Sequence, residues 1–310
     1  MRLIFAIIAA ILFPGIAQAA CTVGGGTLGF GATGSYAVQS GSVAGTSGPG
    51  GLSCTGTPIV LLSGNSARAT VTSARNFRLG GTTGDLIPYR LSANATGTRN
   101  FTQGGTIDYF SGDLIGLLNG SNLQPVFHAA IQGNANVAAG VYSDTLTVQW
   151  NWNMCRLVNL AGICILSETG TGIAVINVTI TVAADCRIAA PPLDFGSASL
   201  VRQFAEISQS VMVACTRGSS YAVSMTSGGN GSARPWRAMR GPGGNVLRYN
   251  LYRSDGSTIW DESNPLVSAA PGTGSTVANQ PFTYRARIDV NQPTPPAGSY
   301  SDTVSVVVTF

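Results

Sequence analysis

Apolar and polar residues alternate along the stretch 300–310. Tyr300, Asp302, Val304, Val306, Val308 and Phe310 fall on one face, and Thr303, Ser305 and Thr309 on the other. That period of two predicts a half-buried strand. The same text stands earlier as Gly140-Val141-Tyr142-Ser143-Asp144-Thr145-Leu146-Thr147-Val148-Gln149-Trp150. There it leads into a hairpin bounded by Cys155 and Cys164, then into a second alternating run, 173–182. Ala174, Ile176, Val178, Ile180 and Val182 are expected to point inward from that run. One copy of the repeat therefore has a strand for which nothing stands after Phe310 in the other. An unpaired strand edge beside an apolar groove invites a strand from another chain. The acceptor edge is expected at Val304, Val306, Val308 and Phe310. The alternative is that the early part of the second copy closes its own sandwich.

The rest of the chain reads as short strands, at 58–62, 76–79, 86–92 and 124–132, parted by clusters rich in Gly, Asn and Thr. No stretch shows a useful helical period. The fold class expected is all-β: two tandem immunoglobulin-like sandwiches, the C-terminal one lacking its last strand. Further matches support the repeat. Leu193-Asp194-Phe195-Gly196 parallels Leu28-Gly29-Phe30-Gly31, Leu247-Arg248-Tyr249 parallels Ile87-Pro88-Tyr89, and Gln280-Pro281-Phe282 parallels Gln124-Pro125-Val126. The boundaries predicted are 1–20, 21–183 and 184–310. So short a linker, Ala183-Ala184-Asp185, should make a stiff rod.

Residues 1–20 read as a secretory signal, with Arg2, an apolar run and Ala17-Gln18-Ala19 as cleavage site. The apolar run is too short to span a membrane. Six cysteines in an exported chain predict disulfides. The repeat pairs them as Cys21–Cys54, Cys155–Cys164 and Cys186–Cys215, each long bridge stabilising by roughly 3–4 kcal/mol. The spacing fits no zinc motif and His128 is the only histidine, so neither metal nor cofactor is expected. All 17 basic residues are Arg, against 13 acidic ones. Without Arg2 the excess is too small and scattered for nucleic acid.

Two Cys-initiated units, each with a Gly-x-Tyr-Ser-Asp-Thr block, resemble the spore coat protein U domain. That domain builds subunits of archaic chaperone–usher pili, adhesive fibres of Gram-negative bacteria. The resemblance implies a two-domain tip adhesin at the cell surface, active in attachment and biofilm formation. Its implied partners are a periplasmic pilus chaperone, an outer-membrane usher, a neighbouring pilin subunit donating a strand to residues 186–310, and an abiotic or host surface. No donor strand precedes Cys21, which speaks for the end of a fibre and against the shaft. Strand order puts the Cys155–Cys164 hairpin at the pole away from the second unit. Its Leu157, Val158, Leu160 and Ile163 are expected to form an apolar finger that grips surfaces, unless they fold back onto the core. Leu114, Ile115, Leu117 and Leu118 are a second possible finger, or a buried strand. Trp150 and Trp152 could stack on glycans, but strand positions make them core candidates.

Two rival functions remain. Asp108, Asp113 and Asp144 could be glycosidase carboxylates. However, Asp144 recurs as Asp302, which favours a shared structural role, and no Ser/His/Asp set exists around His128, so no enzyme is expected. A secreted coat or matrix protein assembling through the same open edge is the other rival.

Overall fold

The computed structural model describes residues 21–56, 58–117, 122–230 and 236–310, with only the backbone of 115–117. The proposed signal at 1–20 and Leu118 lie outside the described residues. The chain is all-β, in two units with separate hydrophobic cores.

The first unit begins with β1 (Cys21–Val23), β2 (Gly26–Gly34), a short helix α1 (Ser35–Ser40), β3 (Thr46–Pro49) and β4 (Leu52–Cys54). There follow β5 (Ser66–Ser73), β6 (Arg78–Gly80), β7 (Leu86–Ser92), β8 (Gly105–Asp108) and β9 (Val126–Ile131). The long hairpin β10 (Gly140–Val158) and β11 (Cys164–Ala183) completes it. The main path runs β2-β11-β10-β6-β7-β9-β3, with β5 also on β10 and β8 on β5. From Tyr142 to Met154 every second side chain of β10 is buried, so the period of two fixes which face meets the core. Trp150 stands at the centre, tilted on Tyr109, stacked on Phe127 and donating its indole N–H to the Gly50 carbonyl. Trp150 and Trp152 are both buried. The Gly-rich opening carries β1 to β4 and α1, whose six residues are too few for a periodic signal. Gly41 ends the helix in the left-handed conformation, at φ 71°.

The second unit has β12 (Cys186–Ala189), β13 (Ile207–Cys215), β14 (Ala222–Met225), β15 (Arg237–Arg240) and β16 (Val246–Arg253). It ends with β17 (Leu266–Val267), β18 (Gln280–Ile288) and β19 (Val306–Thr309). One sheet is ordered β12-β13-β18-β16-β15, the other β17-β14-β19. Only Val306–Thr309 of the alternating terminal stretch is paired as a strand, against Ala222–Met225. The Gln-Pro match between the units is displaced by one residue. Tyr89 faces Ile131 and Tyr249 faces Ile288, so Pro125, not Val126, corresponds to Phe282. A one-residue slip exchanges inward and outward faces.

Disulfides join Cys21 to Cys54, Cys155 to Cys164 and Cys186 to Cys215. The two units meet through a polar joint. The Asp185 carboxylate accepts from the Ser35 amide and hydroxyl and from the Thr216 hydroxyl. The Tyr36 hydroxyl donates to the Ala214 carbonyl at 2.8 Å, and Arg187 lies 4.7 Å from the Tyr36 ring centroid. Arg217 pairs with Asp85 across the joint. Burial alone would raise the Asp85 carboxyl, but the Ala138 amide, the Thr83 hydroxyl and Arg217 outweigh it and hold it below the usual carboxylate range.

A carboxyl depressed in the folded protein contributes stability above its unfolded value of about 3.9, and that contribution is lost as pH falls through the folded value. The joint is therefore expected to loosen below about pH 4. Small-angle scattering of the full chain at pH 7 and pH 3 reads this as a broadened distance distribution. Arg217→Ala should weaken the pH dependence, and an unchanged distribution in the parent chain at pH 3 would count against it.

Candidate functional site

Two features stand out from the sandwich plan, and each grows from the repeated block. Within that block an aspartate organises the start of the strand. Asp144 is 2% exposed and accepts from the Ser73 hydroxyl, the Tyr89 hydroxyl and the amides of Arg75 and Thr145. Asp302 repeats this with the Tyr249 hydroxyl at 2.7 Å, the Thr303 amide, and Gly229 and Asn230. Burial, then the neighbouring carboxylate, pushes both tyrosine hydroxyls far above their ordinary range. These are structural hubs. Asp108 is held by Arg68 and by the amides of Ala67 and Phe110, and Asp113 by Arg99 and Asn94, so the three aspartates are tied up separately. Burial lowers the basicity of His128. Among the described residues no three His, Cys, Asp or Glu are placed to hold a metal.

The first feature is a groove in the second unit. In the first unit β11 sits between β10, antiparallel, and β2, parallel. In the second unit β19 takes the place of β10, since Val306 faces Met225 of β14 as Val148 faces Val71 of β5. Residues 190–199 take the place of β2, with Leu193 and Phe195 packed on the core, yet they pair with no strand. Among the described residues nothing occupies the position of β11. Between the two edges lies a groove of about 380 Å³, lined by residues including Leu193, Phe195, Tyr249, Tyr300, Val304 and Val306. The exposure follows. Tyr142, Asp144, Leu146 and Val148 are at most 2% exposed, while Tyr300, Asp302, Val304 and Val306 are only half-buried and Phe310 is 61% exposed. Val304 lies in the groove wall outside any paired strand and Val306 lines it from β19, while Val308 and Phe310 lie beyond the wall.

The second feature is the end of the β10–β11 hairpin. With 19 residues at about 3.3 Å each, β10 reaches about 60 Å from Gly140, which pairs with Val182 beside the joint. At its far end Leu157 is 50% exposed, Leu160 fully exposed and Ile163 62% exposed, while Val158 is half-buried. Ile165 and Leu166 on the returning strand are exposed too, at 58% and 42%, and no sequence pattern marks them. The turn is fixed by Asn159, whose side chain accepts from the amides of Ala161 and Ile163, and by the Cys155–Cys164 bridge. At its base the buried Arg156 pairs with Glu168 at 2.8 Å, and Glu168 also accepts from the Cys21 amide. The other apolar run contributes no such surface through Leu114, which is fully buried in a short 3₁₀ helix (Gly112–Leu117). The Ile115 and Leu117 side chains lie outside the described residues.

The sequence matches the Spore Coat Protein U domain twice, over residues 9–149 and 173–307. The chain belongs to that family. The interval 150–172, which neither match covers, is the outer part of the long hairpin with its exposed tip. Among solved structures, one similar chain is in the CsuC–CsuE chaperone–tip adhesion subunit pre-assembly complex, from archaic chaperone–usher Csu pili of Acinetobacter baumannii. It is 21% identical with a TM-score of 0.66, covering 94% of this chain and all of that one. At that identity the likeness is one of fold. The CupB6 tip adhesin of Pseudomonas aeruginosa is more distant, 10% identical with a TM-score of 0.28 over 86% of each chain. No curated protein matches the sequence.

Proposed function

We propose that this chain is the adhesive tip subunit of an archaic chaperone–usher pilus. The observation that carries the reading is the pairing of an empty strand position in the second unit with an exposed apolar tip on the far end of the first. Membership of the spore coat protein U domain family and the fold shared with the Csu complex support it. The groove takes a strand from a periplasmic chaperone during export and from a neighbouring pilin subunit in the fibre. An outer-membrane usher passes the subunit outward, and the residues before Cys21 act as the export signal. Backbone hydrogen bonds along the edge give affinity, and inward side chains give specificity.

The distal finger of Leu157, Leu160 and Ile163, with Val158 at its root, attaches the cell to abiotic or host surfaces and so starts biofilm. Braced apolar side chains lose little freedom on contact, so more of the burial energy is retained as binding. A coat or matrix role needs the same groove but no exposed apolar tip.

The test uses the full chain on polystyrene beads. Leu160→Asp with Ile163→Asp is expected to lower retention at least tenfold with an unchanged unfolding curve. Each lost contact of about 1.5–3 kcal/mol would suffice for that. Retention equal to the parent's would remove the adhesive role of the finger.

A further inference from the structure

We infer that the strand filling the second groove enters in one register, and that residues 174–180 of this chain spell out its side-chain order. The inference rests on the reading of that groove as a strand acceptor, and adds which strand fits.

The two units supply the alignment. Val148 and Val306 face equivalent residues on β5 and β14, and Tyr142-Ser143-Asp144-Thr145 recurs as Tyr300-Ser301-Asp302-Thr303. In the first unit Tyr142 faces Ile180, Asp144 faces Val178, Leu146 faces Ile176 and Val148 faces Ala174. All four partners are buried. On the other side Val178 lies beside Leu28, whose counterpart Leu193 lines the empty groove. Transferred by the repeat, the incoming strand runs antiparallel to 300–309. It sets branched aliphatic residues opposite Tyr300, Asp302 and Val304, and a small residue opposite Val306.

The extent of the groove agrees. Its wall runs from Tyr300 to Val306 and stops there, which gives room for four inward side chains. Beyond Val306, Val308 faces Val223, and the Val223 carbonyl receives the indole N–H of the fully buried Trp260. Trp260 packs on Tyr284 and fills the core there, closing the groove at that end, and Trp150 fills the matching place against Phe127 in the first unit. A closed end calls for the small residue, so the order is small, branched, branched, branched at alternate positions, as in Ala174-Val175-Ile176-Asn177-Val178-Thr179-Ile180. A slip of one residue would turn the polar face inward, and a slip of two would drive a branched side chain against the closed end.

The probe is a synthetic peptide of the sequence 172–182, added to the full chain. Ser305 is exposed, and its counterpart Thr147 faces Val175. Full-length Ser305→Cys is therefore expected to form a disulfide with the Val175→Cys peptide at least tenfold faster than with the Ile173→Cys or Asn177→Cys peptides. An Ala174→Leu peptide is expected to bind at least tenfold more weakly than its parent. Equal cross-linking at all three positions, with peptides that bind, would overturn the register and leave the strand-acceptor reading intact. Binding by neither this peptide nor any other alternating apolar peptide would overturn both.

Discussion

Replacing Asp144 with Ala is expected to cost the first unit about 4 kcal/mol, enough to unfold most small domains under mild denaturant. The carboxylate is 2% exposed and satisfies two hydroxyls and two amides at once. Its removal strands the Ser73 and Tyr89 hydroxyls in the core, and each buried donor left unpaired costs about 1–3 kcal/mol. The equivalent change, Asp302→Ala, should cost the second unit about half as much, because its surroundings are half open to water that can replace the lost acceptor. Guanidinium unfolding of the full chain, followed by Trp fluorescence, separates the two: Trp150 and Trp152 report the first core and Trp260 the second. An Asp144→Ala shift under about 1 kcal/mol would show that the hub is not a keystone.

Removing the Arg156 side chain is the second large effect. Its guanidinium is buried at the root of the distal hairpin and pairs with Glu168 at 2.8 Å. Breaking a buried pair from one side costs about 3–5 kcal/mol, since the remaining charge keeps its desolvation. The loss should be local. Hydrogen exchange is expected to speed up in 155–168 for Arg156→Ala while the inner half of β10 stays protected. A uniform change along β10 would mean the finger is not a separate element. Replacing Glu168 by Gln in the same background should return part of the loss, because it removes the stranded charge.

Much of the fold is readable along β10, because one polar and one buried residue alternate from Tyr142 to Met154. The same rule overreached at 300–310. The alternation is equally regular, yet only Val306–Thr309 pairs as a strand, against the four positions of β14, and Ser301 makes a lone bridge to Arg240. The pattern records what the stretch is built for. Leu114 is ambiguous for a different reason: a short apolar run has no period, and length alone does not separate an exposed loop from the 3₁₀ turn that buries Leu114. The Gly-Ser-rich opening hid α1 and the joint. Ser35 and Tyr36 meet Asp185 about 150 residues away, a contact no local pattern announces. The exposed turn is legible as a Cys-bounded apolar run, whereas the exposure of Ile165 and Leu166 is not, because they lie on the strand after it.

The long hairpin has a mechanical consequence. In the proposed tip role, a load between the surface and the second unit would pass down β11, whose 20 residues lead from Cys164 to the joint. At about 3.3 Å per residue that segment is already near the chain's greatest length, so tension can hardly stretch it. It is also clamped along its inner half by β10 on one side and β2 on the other. Pulled lengthwise, those ladders are sheared as a block and cannot be unzipped one rung at a time. The first unit should therefore act as a tension rod, and a tether formed by this chain should yield where it is held without a covalent bond, at the surface contact or in the strand groove.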